Sequence, residues 1–241
     1  MSNRLAEVWV YLAASPLLGL TATLLAYQFA YALYTRAKFS PLANPVAISV
    51  ALLVIVLLAT GVSYQTYFAG AQFVHFLLGP ATVALALPLY QQLDKLRRQW
   101  RAFLAGALLG SASAIVSAML IAKALGASQV TVLSLAAKSV TMAIAMGITE
   151  KIGGLPSLTA ALVMLTGILG AMMAASILDR LHIRDASVRG FALGVAAHGI
   201  GTARAFQISD EMGAFAGLAM GLSGLLTALV LPVLLRVFAV I

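Results

Sequence analysis

Cysteine is absent from this sequence of 241 residues, and charged residues make up only 9% of it. Without cysteine, disulfide bonds and thiolate metal sites are excluded. Acidic residues are also scarce. The sequence has 7 Asp and Glu and 15 Lys and Arg, which gives a formal net charge of +8. Ordinary soluble domains carry about 25% charged residues. A soluble fold of this composition would have too little polar surface to cover itself.

Apolar residues make up 62% of the chain, with a mean hydropathy of +1.03. One membrane-spanning helix needs about 20 apolar residues. The sequence therefore predicts an all-α integral membrane protein, with a single transmembrane domain over 1–241 and a multi-pass position in the inner (plasma) membrane. We expect Lys and Arg at helix ends to contact lipid headgroups rather than nucleic acid. Short polar turns separate eight predicted segments, which cover 5–34, 43–62, 67–93, 102–124, 128–149, 156–178, 188–207 and 213–238.

An internal repeat of about 60 residues is indicated in the second half of the chain. Aligning Ala137–Leu165 with Ala197–Leu225 pairs several Ala, Leu and Gly residues and sets Lys138 against His198. Each predicted repeat is a two-helix unit, in which a Gly/Pro-interrupted segment precedes a smoother helix. Interrupted segments at corresponding positions are typical of transporters. If all eight segments span, the repeat is parallel, whereas one re-entrant segment would make it inverted.

Membrane orientation does not follow from the basic residues when every segment is assumed to span. On that assumption, the turns at 35–41, 94–101, 150–156 and 209–213 share one face. That face would hold seven Lys and Arg against six on the other. Because the positive-inside rule needs a clear excess on one side, this count leaves the orientation open.

Cationic side chains inside apolar segments indicate an anion site. Lys138 lies well within 128–149, and His198 and Arg204 lie within 188–207. A charge inside a spanning helix costs about 2.5–3.5 kcal/mol on insertion scales, so its presence calls for a function. Arg binds a carboxylate through two parallel hydrogen bonds, and Lys adds a point charge. In the alternative interpretation, Lys138 and Arg204 extend along their helices to the lipid headgroups.

Glycines near these cations predict helix breaks. Gly199 and Gly201 flank Ile200, just after His198, and Gly147, Gly153 and Gly154 surround Glu150. A break exposes backbone N–H groups that attract an anion. Gly in membrane helices also serves close packing, so both interpretations stay open. Glu150 and Glu211 are candidates for coupling or gating, or are simply turn residues at the interface.

No enzyme motif is present. The sequence contains no Walker-type loop, no GxSxG and no HExxH, and its three His are scattered. These absences favour a protein that is not an enzyme and that holds no metal and no cofactor.

Four stretches carry a specific family resemblance. They are LGPATVALALPLYQQ (78–92), AKSVTMAIAMGITEKIGGLPSLTA (137–160), ALGVAAHGIGTARAF (192–206) and GAFAGLAMGLSGLLTALVLP (213–232). In this order they resemble the LrgB-like family. Its bacterial members are commonly described as antiholin-like, and its plant relatives include a plastid glycolate/glycerate translocator. Two departures are visible: Met142-Ala143 replaces the family's usual Thr-Pro, and Gln207 stands where Glu is common.

The resemblance implies a transporter of short monocarboxylates such as glycolate, glycerate, pyruvate or acetate. It also implies a smaller LrgA-like membrane protein as partner, and we further expect a homo-oligomer. The family's KSVT and HGIGT-x-R motifs then suggest roles for individual residues. In this hypothesis Lys138 and Arg204 hold the carboxylate and His198 couples a proton. The remaining predicted site residues, which supply hydroxyls or helix breaks, are Ser139, Thr141, Gly199, Gly201 and Thr202.

Two other functions compete with transport. A holin- or antiholin-like regulator of murein hydrolase activity or export would need no buried anion site. A purely structural partner of the LrgA-like protein would tolerate point changes at the buried cations. The sequence feature that separates transport from both is the set formed by Lys138, His198 and Arg204.

Overall fold

A computed structural model describes residues 16–40, 43–84 and 86–237 of the chain. These residues form eleven α-helices, named α1 to α11 in chain order. The predicted all-α class is confirmed for this part of the chain. The start of the predicted segment 5–34 and the last residue of 213–238 lie outside it. The helices cover Pro16–Arg36, Pro45–Thr60, Tyr64–Phe76, Leu78–Ala84, Ala86–Gln91, Leu93–Ala124, Gln129–Ala136, Met142–Lys151, Pro156–Arg180, Ala186–Phe206 and Asp210–Val237.

Four of these helices are long and apolar enough to cross a membrane, namely α1, α6, α9 and α11. The shorter α2 is also apolar. This supports a multi-pass membrane protein. The described residues contain fewer long helices than the predicted number of about eight membrane segments. Several of the predicted segments contain short or broken helices instead.

The chain divides after Ala84 into two compact units. In the N-terminal unit, α1 packs against α2 and α3. The Thr23 hydroxyl lies 2.7 Å from the Tyr67 hydroxyl and so links α1 to α3. Helix α2 has well-defined ends, because the Asn44 side chain accepts from two backbone N–H groups at its start and Gly61 ends it with φ +67°. Only a residue without Cβ adopts that left-handed conformation without strain.

In the C-terminal unit, α7 and α8 form a helical hairpin rather than a membrane crossing. With 8 and 10 residues, the two helices rise only about 12 and 15 Å at 1.5 Å per residue, against about 30 Å of hydrocarbon. The end of the hairpin packs back against α7, because the Leu155 N–H donates to the Ser134 hydroxyl at 2.8 Å. The buried Thr159 hydroxyl donates to the Ser134 carbonyl at 2.9 Å. We call residues 128–155 the first hairpin.

Helix α10 also folds back on itself. His198 interrupts it with φ 40° and ψ −131°, and a Cβ added to Gly201 would lie 2.6 Å from the Leu193 carbonyl oxygen. In a continuous helix, residues eight positions apart would be separated by about 12 Å. Residues 185–209 are therefore a second hairpin, with His198 at its tip.

Each hairpin is followed by one long helix, α9 or α11. Gly190 and Gly194 of the second hairpin lie against the α11 backbone at Met212 and Ala216, so the first arm of this hairpin runs parallel to α11. Glycine permits such close contact between membrane helices. Because a hairpin makes no net crossing and each long helix makes one, α9 and α11 run in opposite directions.

Helix α6 packs along both hairpins. Its first half contributes Phe103 and Ala107 to a buried apolar cluster with the second hairpin and α11. Its second half contributes Ile115 and Met119 to a cluster with the first hairpin. The middle of α6 consequently lies at the level where the two hairpin tips approach each other.

The hairpins change which turns share a face. If every predicted segment crossed the membrane, residues 94–101 and 150–156 would lie on the same side of it. In the structure they lie at opposite ends of the C-terminal unit, because 128–155 leaves and returns at one end. Residues 94–101 instead share an end with 179–189, and Lys95 bonds to Asp185 directly.

Candidate functional site

Lys138 lies near the tip of the first hairpin, between α7 and α8. Successive backbone turns carry the chain there, through Lys138 N–H to Leu135 carbonyl and Val140 N–H to Ala137 carbonyl bonds. The Lys138 ammonium donates to the Ser139 hydroxyl at 3.2 Å. Both side chains are half-buried and line one cavity. Lys138 is thus held inside the unit rather than extended to either end of it.

The cavity has a volume of about 1010 Å³ and lies between α6, α9 and the first arm of the second hairpin. Among the described residues that line it, Lys138 is the one that carries a charge. Hydroxyl groups of Ser113 and Ser117 on α6 and Thr166 on α9 lie at the same end as Lys138. The remaining wall is mostly apolar and includes Phe103, Gly106, Leu169, Met173, Phe191 and Val195. A single cation with nearby hydroxyls in an apolar wall suits a small anion with an organic body.

The cavity reaches only one end of the C-terminal unit. Gln99, Ile177 and Val188 line it at the end where α6 begins. Beyond Ser117, the buried cluster that contains Met119 and Val132 closes the other half. The cavity therefore runs from one end of the unit to about its middle.

His198 forms the tip of the second hairpin and is buried, with 4% exposure. Its Nε2 atom lies 3.0 Å from the Val163 carbonyl oxygen. The Thr202 hydroxyl donates to the His198 carbonyl at 2.9 Å. A positive φ at a residue other than Gly costs about 1–3 kcal/mol and concentrates at functional sites.

Both hairpin tips lie beside the middle of α9. A Cβ on Gly167 would come within 2.8 Å of the His198 ring, and Thr166 and Gly170 line the cavity with Lys138. The structure thus brings these two predicted site residues into one region, although His198 itself does not line the cavity.

The other predicted site residues lie outside the cavity lining. Thr141 ends the break before α8. Gly199 and Gly201 follow the tip of the second hairpin, where a Cβ on Gly199 would lie 3.8 Å from the Met220 sulfur. Arg204 lies near the end of α10, and its guanidinium donates to the Gln207 side chain at 3.2 Å. Lys138 and Arg204 do not share a cavity in this structure, so a joint grip on one carboxylate stays a prediction.

The two predicted coupling residues are also apart. Glu150 is exposed near the end of α8. Glu211 lies at the start of α11, at the opposite end of the unit, and accepts from Lys95 at 2.8 Å. A part in coupling or gating stays a prediction for both.

An ion-pair network joins the starts of α6, α10 and α11. The Lys95 ammonium lies 2.9 Å from the Asp185 carboxylate and 2.8 Å from that of Glu211. Asp185 also accepts from the Val188 N–H and so caps α10. A hydrogen bond from the Ser187 hydroxyl, together with the Lys95 ammonium, holds the pKa of Asp185 far below its usual range. The network ties the base of the second hairpin to the two long helices beside it.

Replacing Asp185 by Asn should lower stability at pH 7 and lower it less at about pH 2. A depressed pKa in the folded state stabilises the protein fully above the unfolded value of about 3.9, and the effect is lost as pH falls through the lower pKa of the folded state. Because the side chain of Asp185 is 49% exposed, we expect at most about 1 kcal/mol. Asn keeps the helix cap. Thermal unfolding in detergent at both pH values measures the difference. Asp94→Asn is the control, and an equal loss at both pH values would contradict the assignment.

The sequence analysis did not include Ser113, Ser117 or Thr166 among the site residues, although all three line the cavity. Ser113 and Ser117 are four residues apart, so they share one face of α6. That spacing was a usable signal, but the sequence does not reveal which face of α6 meets Lys138. In the part of the chain that the structure describes, no group of three or more potential metal-ligating side chains is found.

Comparison with known proteins identifies the family. The model of the LrgB-like family matches residues 23–237, and thus parts of both units. "Antiholin-like protein LrgB" from Bacillus mycoides (strain KBAB4) is 30% identical over 218 residues, covering 90% of this chain and 95% of the relative. Proteins of that name from Bacillus cereus (strain B4264) and Bacillus anthracis (strain CDC 684 / NRRL 3495) match to the same extent. No solved structure matches the chain. By the extent of the family match and by these relatives, this chain belongs to the LrgB-like family.

Proposed function

We propose that this protein is a membrane transport subunit that carries small carboxylates, of the glycolate, glycerate, pyruvate and acetate class, through the C-terminal unit. The observation that carries the proposal is Lys138, a cation half-buried at a hairpin tip and lining a cavity of about 1010 Å³. A charge at this depth is costly without a partner. In the described residues no carboxylate side chain lines that cavity, which leaves the ammonium available to an anionic substrate.

The architecture supports the same proposal. Two hairpins whose tips approach each other beside the middle of α9, each followed by one long helix, have the form of an inverted repeat. The predicted 60-residue spacing pairs Lys138 with His198, and both residues lie at helix breaks. Transporters built from inverted repeats bind their substrates near the bilayer midplane, where such breaks meet.

Substrate recognition would combine one charge with several hydroxyls. The Lys138 ammonium would bind the carboxylate, and the hydroxyls of Ser139, Ser113 and Ser117 would contact its second oxygen or a neighbouring hydroxyl or keto group. The apolar wall would exclude multiply charged acids, because one cation does not offset a second buried negative charge. His198 would couple a proton to transport, because imidazole is the side chain whose ordinary pKa lies nearest neutrality.

Uptake into proteoliposomes tests this function. Purified protein, alone and with the LrgA-like partner that the family resemblance implies, would be assayed with labelled glycolate, pyruvate and acetate. The expected result is saturable uptake that unlabelled monocarboxylates compete away and that responds to a pH gradient. Equal, non-saturable leakage of citrate and glycolate would refute transport through a specific site.

Ser113→Ala with Ser117→Ala should weaken uptake of hydroxylated and keto acids more than that of acetate. Each lost hydrogen bond is worth about 0.5–1.5 kcal/mol, so the double variant should raise the apparent KM for glycolate by about 5- to 100-fold. Competition of each acid against labelled pyruvate would measure this. Ser176→Ala, which removes an exposed hydroxyl of α9 outside the cavity lining, is the matched control. An equal effect on acetate would contradict the assigned contact.

A second candidate function is regulation of murein hydrolase activity or export, in the manner of an antiholin. The name of the relatives, "Antiholin-like protein LrgB", favours it. Such a regulator would act through its assembly in the inner membrane, with itself or with an LrgA-like protein. In a deletion strain that lyses abnormally, a Lys138→Met variant that restores normal lysis without transporting carboxylates would support regulation over transport.

A further inference from the structure

Basic residues are unevenly distributed between the two ends of the C-terminal unit. The ends are defined by the structure, since both hairpins return to the end from which they start. The end at which α6 begins carries eight basic residues, which are Lys95, Arg97, Arg98, Arg101, Arg180, Arg184, Arg189 and Arg204. The opposite end carries three, which are Lys123, Lys151 and Arg236. Lys138 lies between them.

The exposed arginines of the first end fit a membrane surface. Arg97, Arg98, Arg101, Arg180 and Arg184 are exposed. Trp100, which is 52% exposed, lies next to the Arg101 guanidinium, 5.5 Å from it. Exposed Trp and Arg near helix ends are typical of the headgroup region. We call this end, with its eight cations, the basic face.

We propose that the basic face lies at the cytoplasmic surface, against the anionic headgroups of that leaflet. Lys and Arg in short loops are enriched on the cytoplasmic side, and Asp and Glu contribute little to this bias. An excess of eight over three determines the orientation, whereas seven against six did not. Each cation near an anionic leaflet adds about 1 kcal/mol of attraction.

This orientation assigns a side to the cavity. Gln99, Ile177 and Val188 line its end near the basic face, and the apolar cluster around Met119 and Val132 separates it from the other end. The structure is therefore a state in which Lys138 is accessible from the cytoplasm and closed to the outside. The orientation does not depend on which molecule is transported, or on whether transport occurs.

Single-cysteine labelling tests both parts, since the chain has no native cysteine to give background. Gln99→Cys reports on the basic face, and Leu125→Cys reports on the opposite end, where Leu125 is 82% exposed. Ser139→Cys, a nearly isosteric change, reports on the cavity. Each variant is treated with a membrane-impermeant maleimide in inside-out and in right-side-out vesicles. Labelling after denaturation shows that every cysteine is reactive.

We expect Gln99→Cys and Ser139→Cys to be labelled in inside-out vesicles only, and Leu125→Cys in right-side-out vesicles only. The reverse pattern for Gln99 and Leu125, or labelling of both from both sides, would overturn the orientation. Labelling of Ser139→Cys from outside, or from neither side, would overturn the one-sided cavity. Labelling requires no substrate. A failed transport assay, together with the expected labelling pattern, would therefore contradict only the proposed function and not the orientation.

Discussion

Lys138→Met should abolish saturable carboxylate uptake while leaving the protein folded. Methionine keeps most of the length of the side chain but removes the ammonium, the one charge that the described residues place in the cavity lining. Hydrogen bonds to a charged group contribute about 1.5–3 kcal/mol, so the apparent affinity should fall by at least about 10- to 100-fold. Because the variant also removes a costly buried cation, its thermal stability should be equal or higher. Uptake in proteoliposomes and thermal unfolding in detergent measure the two effects.

Lys123→Met is the matched control for this prediction. Lys123 lies in the last turn of α6 and is exposed, outside the cavity lining, so uptake should be unchanged. Arg204→Met separates the two hypotheses for the carboxylate. If Arg204 joins Lys138 in another conformation, uptake falls in both variants, whereas uptake falls in Lys138→Met alone if it does not. Full uptake by Lys138→Met would remove the basis of the proposed function.

Gly194→Ala should destabilise the second hairpin, and it should do so more strongly than any other substitution by alanine proposed for this protein. Gly194 is buried and lies against two alanines of α11. A Cβ added to Gly194 would lie 2.8 Å from the carbonyl carbon of Ala216 and 2.8 Å from the Cβ of Ala219. Overpacking a close contact costs about 1–3 kcal/mol. Because the obstacle includes backbone, which does not move aside as a side chain does, we expect the upper part of that range. The melting temperature in detergent would measure the loss.

Gly221→Ala provides the comparison for Gly194. Gly221 also lies within a helix, α11, but a Cβ there would meet nothing within 4 Å. Alanine should therefore leave the stability unchanged or raise it by up to about 1 kcal/mol, as expected from helix propensity. Equal losses in the two variants would contradict the close packing of the second hairpin on α11.

The sequence alone was sufficient for the helical class, the membrane setting and the family. Composition excludes a soluble fold, because too few polar side chains are present to cover one. It was also sufficient to single out Lys138, since a cation in an apolar segment is costly wherever its helix lies. A break near Gly199 and Gly201 was one of two interpretations of these glycines, and the structure has the break at the neighbouring His198.

The number of crossings could not be deduced in the same way. A segment of about 20 apolar residues has the same composition whether it crosses the bilayer or returns from the middle. For 128–149 the outcome depends on the Ser134, Thr159 and Leu155 hydrogen bonds that close the hairpin. For 188–207 it depends on the contact of Gly190 and Gly194 with α11.

Which residues line the cavity was likewise decided by tertiary structure. Arg204 was predicted beside Lys138 from residue type, but the second hairpin carries Arg204 back toward the end of the unit, where it meets Gln207. Ser113 and Ser117 reach the cavity because packing fixes the rotation of α6. Sequence determines which side chains a segment offers and at what cost they are buried. Which of them meet depends on contacts between segments far apart in the chain, and these exist only once the helices have packed.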